Sequence, residues 1–88
     1  MGEVVVHVLL VESDTAAAVQ IARALLAEDL SVAIGHNGID GLLKLQQRST
    51  ALLIVNSRLP DISGAALVGA ARAKGYRGPV LLLTPAGQ

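Results

Sequence analysis

Four polar side chains that directly follow apolar runs are the candidates for chemistry in this sequence. Glu12 and Ser13 follow VVVHVLLV, Asn56 follows ALLIV, and Thr84 follows VLLL. These runs are short and rich in branched aliphatic residues, as in strands covered on both faces of a parallel sheet. Ligands of open α/β sheets bind beyond the carboxyl ends of the strands. The four side chains are therefore predicted to lie around one pocket.

The residue types limit what that pocket can do. Mg²⁺ prefers several hard oxygen ligands, and Glu12 is the only carboxylate of the four. Ser13 would need a nearby base to act as a nucleophile, but His7 lies near the opposite end of the first run and His36 follows a different apolar run, LSVAI (30–34). The amide of Asn56 is neither an acid, a base nor a nucleophile. No catalytic residue is assigned, and the protein is predicted not to be an enzyme.

Helical patterns separate the apolar runs. The first predicted helix covers residues 15–29, with Asp14 as its N-cap and an apolar side formed by Val19, Ala22, Leu25 and Leu26. The second covers residues 39–47 after the Asn37-Gly38 turn, and its apolar residues are Leu42, Leu43 and Leu45. The third begins at Ser63 or Gly64, runs to Lys74 through Leu67, Val68 and Ala71, and is followed by Gly75, the predicted C′ glycine.

The predicted strands cover residues 4–11, 30–34, 51–55 and 80–83. Strands that alternate with helices indicate an α/β fold with a parallel sheet and right-handed crossovers. With 88 residues, the chain is predicted to form a single domain over residues 1–88.

Four segments resemble the receiver domains of two-component response regulators. They are VLLVESD (8–14), NGIDGLLKL (37–45), NSRLPDISG (56–64) and PVLLLT (79–84). The resemblance implies a flavodoxin-like, three-layer α/β fold with strand order 2-1-3-4. It also implies that this chain lacks counterparts of the family's fourth and fifth helices and of its fifth strand.

The same resemblance places the family's phosphoacceptor position at Asn56, with Leu59, Pro60 and Gly64 in register. The acidic pair that holds Mg²⁺ in receivers corresponds to Glu12 and Ser13. The hydroxyl residue that contacts the phosphoryl group corresponds to Thr84, and the family's invariant lysine has no counterpart. Pro85 is a further departure, expected to hold Thr84 extended.

The resemblance thus implies a degenerate phosphoacceptor pocket made of Glu12, Ser13, Asn56 and Thr84. Asparagine cannot form an acyl phosphate, because its side-chain oxygen is uncharged and its nitrogen lone pair is delocalised. No cofactor is expected beyond weak Mg²⁺ binding, with Glu12 as a weak candidate ligand.

The function predicted on this basis is that of a non-phosphorylatable pseudo-receiver. It would act through protein–protein contacts in bacterial signalling or transcription control. The alternative is a genuine phosphoryl-accepting receiver of a two-component system. A third possibility, compatible with the first, is a regulatory part of a larger protein such as a DNA-binding regulator.

Composition excludes several other classes of protein. The net charge is zero and Tyr76 is the single aromatic residue, so nothing suggests direct binding of nucleic acid. No apolar run approaches the roughly 18 residues of a membrane span, and there is no cysteine. A cytoplasmic protein without membrane contact is therefore predicted.

The expected partner is another protein or a second copy of the chain. In the family's strand order, residues 80–83 would form a sheet edge that is apolar and uncharged, and natural proteins avoid leaving such edges open. The interface candidates are Val80, Leu81, Leu82 and Leu83. A homodimer is predicted, either by antiparallel pairing of two fourth strands or by packing of the faces near helix one and strand three. Net charges of −5 on residues 1–41 and +5 on residues 42–88 would help to orient the two copies.

Overall fold

A computed structural model describes residues 5–84, which form four strands and three helices in strict alternation. The elements are β1 (His7–Val11), α1 (Thr15–Ala27), β2 (Ser31–Gly35), α2 (Gly38–Gln47), β3 (Leu52–Asn56), α3 (Gly64–Ala73) and β4 (Val80–Leu83). All strand pairs are parallel and the strand order is β2-β1-β3-β4. The predicted flavodoxin-like α/β fold and its strand order are confirmed.

Two apolar clusters pack on the two faces of the sheet. On one face, Leu9, Val11, Leu53 and Val55 pack with Leu67 and Ala71 of α3. On the other face, Val8, Leu10 and Ile54 pack with Ala18 of α1. Alternate residues of β1 and β3 thus enter opposite clusters, which is why these strands read as continuous apolar runs.

A polar side chain caps the start of each helix. The side chains of Asp14, Asn37 and Ser63 accept hydrogen bonds from the backbone N–H groups three residues later, at 3.2, 2.7 and 3.0 Å. Such caps satisfy N–H groups that have no partner inside the helix. They hold the start of each helix beside the carboxyl end of the preceding strand.

Helix α1 differs from the prediction at its end and on its buried side. It ends at Ala27 because Asp29 adopts the left-handed conformation (φ 62°), and Leu30 N–H bonds to the carbonyl of Leu25. Its buried residues are Ala18 and Ala22, whereas Val19 and Leu26 are exposed. The prediction was right for Ala22 and Leu25 and wrong for Val19 and Leu26, because α1 meets the sheet through Ala18, Ile21, Ala22 and Leu25.

Smaller differences occur at strand boundaries and on α2. Strand β1 begins at His7, not at the predicted position 4, which lies outside the described residues. Strands β2 and β3 are each shifted by one residue toward the C-terminus. On α2, Leu43 is exposed while Leu42 and Leu45 pack against the core, so Leu43 was wrongly placed on the apolar side.

Two glycines are required by the backbone. Gly75 follows α3 with φ 103°, a conformation that favours glycine, as its predicted place after the helix requires. At Gly64, a Cβ atom would collide with the backbone oxygen of Asn56 and lie 2.8 Å from the Cα atom of Ser57. The start of α3 therefore sits directly against the end of β3.

None of the helices within residues 5–84 has the length and apolar character needed to cross a bilayer.

Candidate functional site

The carboxyl ends of β1 and β3 bring Glu12 and Asn56 together, although 44 positions separate them in the sequence. Asn56 Nδ2 donates a hydrogen bond to Glu12 Oε1 at 2.8 Å. The backbone N–H of Asp14 donates to Glu12 Oε2 at 3.0 Å. Glu12 is only 4% exposed, so its carboxylate is a buried charge held by an amide and by the backbone just before α1.

Both the nitrogen and the oxygen of the Asn56 amide make hydrogen bonds. While Nδ2 donates to Glu12, Oδ1 accepts a hydrogen bond from the backbone N–H of Arg58 at 2.9 Å. A flipped amide would place its oxygen against the carboxylate and its nitrogen against an N–H donor. The two contacts therefore fix the orientation of the side chain.

The other two predicted pocket residues do not join this pair. Ser13 and Thr84 are exposed, and within residues 5–84 neither hydroxyl makes a hydrogen bond. Pro85 lies outside the described residues. The structure thus places all four residues near one sheet edge, and it links only Glu12 and Asn56 by direct contact.

The loop between β3 and α3 is held by hydrogen bonds on two sides. The backbone N–H of Ser57 donates to the carbonyl of Leu83 on β4 at 2.7 Å, and the N–H of Gly64 donates to the carbonyl of Ser57 at 2.9 Å. On the other side, the carboxylate of Asp61 accepts from the N–H groups of Gly38 and Ile39 at 2.8 and 2.9 Å. The loop that follows Asn56 is therefore tied to both β4 and α2.

Asp61 is an additional cap for α2, and its electrostatics reflect this position. Hydrogen bonds from the backbone N–H groups of Ile39 and Gly38 hold the pKa of the Asp61 carboxyl below its ordinary value. The side-chain hydrogen bond from Lys44, at 3.0 Å, similarly lowers the pKa of Asp40 in the first turn of α2. The start of α2 thus favours negative charge, as the helix dipole requires.

The oxygen atoms at this edge do not fit Mg²⁺ as they stand. Both Glu12 oxygens already accept N–H bonds, and the Asn56 oxygen accepts the N–H of Arg58. Within residues 5–84, no cluster of three His, Cys, Asp or Glu side chains is placed to hold a metal ion. A cation at Glu12 would lie beside two N–H donors and would find one carboxylate there, whereas Mg²⁺ demands near-octahedral oxygen coordination.

Sequence reasoning missed two features. Asp61 was seen only as part of the NSRLPDISG segment, and its contact with α2 depends on a loop conformation that the sequence does not reveal. A cavity of about 360 Å³ at the opposite edge of the sheet was also missed. The net charge of +5 on residues 42–88 was its only signal, because Arg48, Lys74 and Arg77 line this cavity.

Comparison with known proteins identifies a curated relative with significant sequence similarity. The uncharacterized transcriptional regulatory protein YkoG of Bacillus subtilis (strain 168) is 33% identical over 78 residues, which cover 89% of this chain and 34% of YkoG. The chain thus spans about a third of that relative's length. No protein-family model matches the chain.

Solved receiver domains superpose on nearly the whole chain. The CheY-like response regulator receiver domain protein from Methanospirillum hungatei JF-1 gives a TM-score of 0.90 at 24% identity, covering 97% of this chain and 68% of its own. The response regulator TrrA from Thermotoga maritima, crystallised with Mg(2+)-BeF, gives 0.87 at 24% identity, covering 93% and 71%. The resemblance found in the sequence is thereby confirmed, and the protein has the fold of a response regulator receiver domain over four strands and three helices.

Proposed function

We propose that this protein is a receiver-like module that does not accept a phosphoryl group and acts through protein–protein contact in two-component signalling or transcription control. The observation that carries the proposal is the Asn56–Glu12 hydrogen bond at 2.8 Å. At the position where the family bears its acceptor carboxylate, this chain has an amide that is committed to a neighbouring buried carboxylate.

The chemistry of the amide supports the proposal. An acyl phosphate forms when a carboxylate oxygen attacks phosphorus, and the Asn56 oxygen is uncharged and accepts the N–H of Arg58. The same amide supplies the positive end of a dipole to Glu12, which is where receivers of the family place a cation. The residues at this edge therefore hold the loop in one arrangement without metal or phosphate.

Reaction with a small phosphodonor tests the proposal. Freshly purified protein is incubated with acetyl phosphate and Mg²⁺, and its intact mass is measured. We expect no mass increase corresponding to a phosphoryl group. The double variant Ser13→Asp/Asn56→Asp serves as the matched chain with the family's acidic residues restored, and an ordinary receiver confirms that the donor is active. A hydroxylamine-labile phosphoryl adduct on the unmodified chain would overturn the proposal.

We also propose that the partner includes a second copy of this chain, bound through β4. The carbonyls of Pro79 and Leu83 accept hydrogen bonds from the N–H groups of Leu53 and Ser57, so alternation along the strand turns the backbone groups of Val80 and Leu82 toward the open side. Within residues 5–84, no segment pairs with that side. Antiparallel pairing of two such edges about a two-fold axis would satisfy these groups.

The side chains of β4 support the same contact. Leu81 and Leu82 are 51% and 44% exposed, and they point to opposite faces of the sheet. Across a two-fold axis each would meet apolar side chains of the second copy. The other arrangement, in which the faces near α1 and β3 pack together, would use Leu81 but leave Leu82 on the far side of the sheet.

A further inference from the structure

We propose that the cavity at the amino-terminal edge of the sheet binds a small phosphorylated molecule, independently of the function proposed above. This basic cavity, defined by Arg48, Lys74 and Arg77, measures about 360 Å³. Its walls come from the ends of α2 and α3 and from the loops that lead into β3 and β4. It lies at the sheet edge opposite to Asn56.

The charge of the basic cavity is uncompensated. None of its lining residues is acidic, while three of them are cationic. The contacts of residues 5–84 include no ion pair or hydrogen bond for the side chains of Lys74 and Arg77. Arg48 lies near His7, with Nη1 at 3.4 Å from Nδ1, which supplies no negative charge. Three cations around one concave space raise the local concentration of anions.

The loop that carries Arg77 is held in place before any ligand arrives. Arg72 donates hydrogen bonds to the carbonyls of Tyr76 and Gly78, at 3.1 and 2.6 Å, on either side of Arg77. Its guanidinium also lies 5.3 Å from the centre of the Tyr76 ring, and the Tyr76 hydroxyl donates to the carbonyl of Pro79 at 2.8 Å. A loop ordered in advance loses less conformational entropy on binding.

The end of α3 is compatible with an anion nearby. Carbonyl groups at a helix C-terminus normally disfavour negative charge. Here the N–H of Tyr76 bonds to the carbonyl of Ala71 and the N–H of Gly75 to that of Arg72, which satisfies two of the last carbonyls. Lys74, the C-cap residue of α3, adds a positive charge at this helix end.

The size of the basic cavity indicates the class of ligand. Its volume is at the lower end of the roughly 300–1,000 Å³ typical of small-molecule sites. The guanidinium groups of Arg48 and Arg77 match phosphate oxygens in geometry, and Ser49 and Thr50 add hydroxyl groups to the lining. These features favour a compact organic phosphate of mononucleotide size over an extended polymer.

Titration with pyrophosphate tests the proposal. Backbone amide chemical shifts are followed at constant ionic strength, with sodium chloride replaced as pyrophosphate is added, and AMP is titrated in parallel. We expect saturable shifts confined to residues 45–50 and 71–78, with a dissociation constant below about 1 mM. Arg77→Gln and Arg48→Gln should each weaken binding about tenfold, since a charge-assisted hydrogen bond contributes about 1.5 kcal/mol. Arg23→Gln, which removes an exposed charge of α1 outside the cavity, should leave binding unchanged.

Several outcomes would overturn the proposal. One is a set of linear, unsaturated shifts spread over the whole surface, which would indicate general screening. Another is equal weakening by Arg23→Gln and Arg77→Gln. A third is that the unmodified protein binds no phosphate while Arg48→Gln and Arg77→Gln lower its stability, which would mean that these cations serve only to stabilise helix ends. Tighter binding of a hexaglutamate peptide than of pyrophosphate would assign the basic cavity to an acidic protein segment instead.

Discussion

At the scale of single residues, the Asn56 amide faces the Glu12 carboxylate at a place where a second carboxylate would need a cation. Two carboxylates at this distance repel each other unless a cation lies between them. With asparagine at position 56, the amide N–H donates directly to Glu12 Oε1, and the backbone N–H of Asp14 occupies the second oxygen. The buried carboxylate is thereby satisfied by groups of the chain itself.

Asn56→Asp should therefore destabilise the protein when no metal is present. The new carboxylate would face the Glu12 carboxylate and remove its donor, which we expect to cost about 2 kcal/mol of the free energy of unfolding. The measurement is urea denaturation at neutral pH, and Gln20→Glu, which adds the same charge on an exposed position of α1, serves as the control.

Mg²⁺ should reverse that loss when the third acidic group is restored as well. Ser13→Asp/Asn56→Asp is expected to bind Mg²⁺ and to gain stability from it, while the unmodified chain binds it weakly and changes little. Tight binding of Mg²⁺ to the unmodified protein at this edge, detected by calorimetry, would show that the Asn56 amide does not keep a cation away from Glu12.

At the scale of helices and strands, some element boundaries could be predicted from the sequence and others could not. The N-caps Asp14, Asn37 and Ser63 follow a local chemical rule, so the helix starts were predictable to within one residue. The end of α1 was not, because Asp29 in a left-handed conformation looks like any other acidic residue at the end of a helix. Local patterns therefore located the elements but not every boundary.

The candidate site could likewise be predicted only in part. The alternation of strands and helices placed Glu12 and Asn56 at one sheet edge, since that position depends only on topology. The direction of the Asn56 amide, the cap that Asp61 provides and the ordering of the loop by Arg72 depend on side-chain conformations. The apolar side of α1 was predicted only in part: Ala22 and Leu25 lie toward the sheet as expected, whereas Val19 and Leu26 face outward.

Asp29→Gly should stabilise the protein by about 0.5 kcal/mol. Left-handed backbone costs a residue with a Cβ atom about 1–2 kcal/mol, and the larger entropy that glycine loses on folding offsets part of this relief. Asp29→Val, a β-branched residue, should instead destabilise the chain. Urea denaturation of the three proteins checks the order, and a less stable glycine variant would contradict the assignment of strain to this position.

The Asp61 cap should make stability depend on acid pH. Because the folded pKa of Asp61 is lowered, its contribution is complete above the unfolded value of about 3.9 and is lost as the pH falls through the folded pKa. The difference in urea midpoint between the wild type and Asp61→Asn should therefore be largest near neutrality and shrink below about pH 4. A difference that stays constant across this range would show that the charge of Asp61 does not matter.

At the scale of the whole molecule, two opposite edges of one sheet carry different features. The carboxyl edge holds the Glu12–Asn56 pair, the amino edge holds the basic cavity, and β4 borders both. Pairing through the open side of β4 would cover neither the carboxyl ends nor the amino ends of the strands. The proposed self-association and the proposed binding of a phosphorylated molecule should therefore be separable by mutation.

Leu82→Lys should separate the two possible dimers. In an edge-paired dimer the new charge lies at the contact and should weaken association at least about tenfold. In a dimer packed through the faces near α1 and β3, Leu82 is remote and association should persist. Leu43→Lys adds the same charge at a leucine of α2 that is also exposed and is the control. Sedimentation equilibrium gives the answer, and a folded monomer of the unmodified chain at tens of micromolar would contradict self-association altogether.

The hydrogen bond from Ser57 N–H to the carbonyl of Leu83 has a consequence for the chemical lifetime of the protein. Asparagine deamidates when the nitrogen of the next residue attacks its side-chain carbonyl carbon, which expels ammonia and leaves a succinimide that water opens to aspartate or isoaspartate. In the folded chain that nitrogen is held in the ladder between β3 and β4, so the protein should age slowly at Asn56. Incubation in urea should release this protection. The deamidation rate of Asn37-Gly38 in the same sample serves as the internal reference for the unfolded chain. Peptide mass analysis would then detect the conversion of Asn56 to aspartate, the residue type that the resemblance to receivers implies for a phosphoacceptor position.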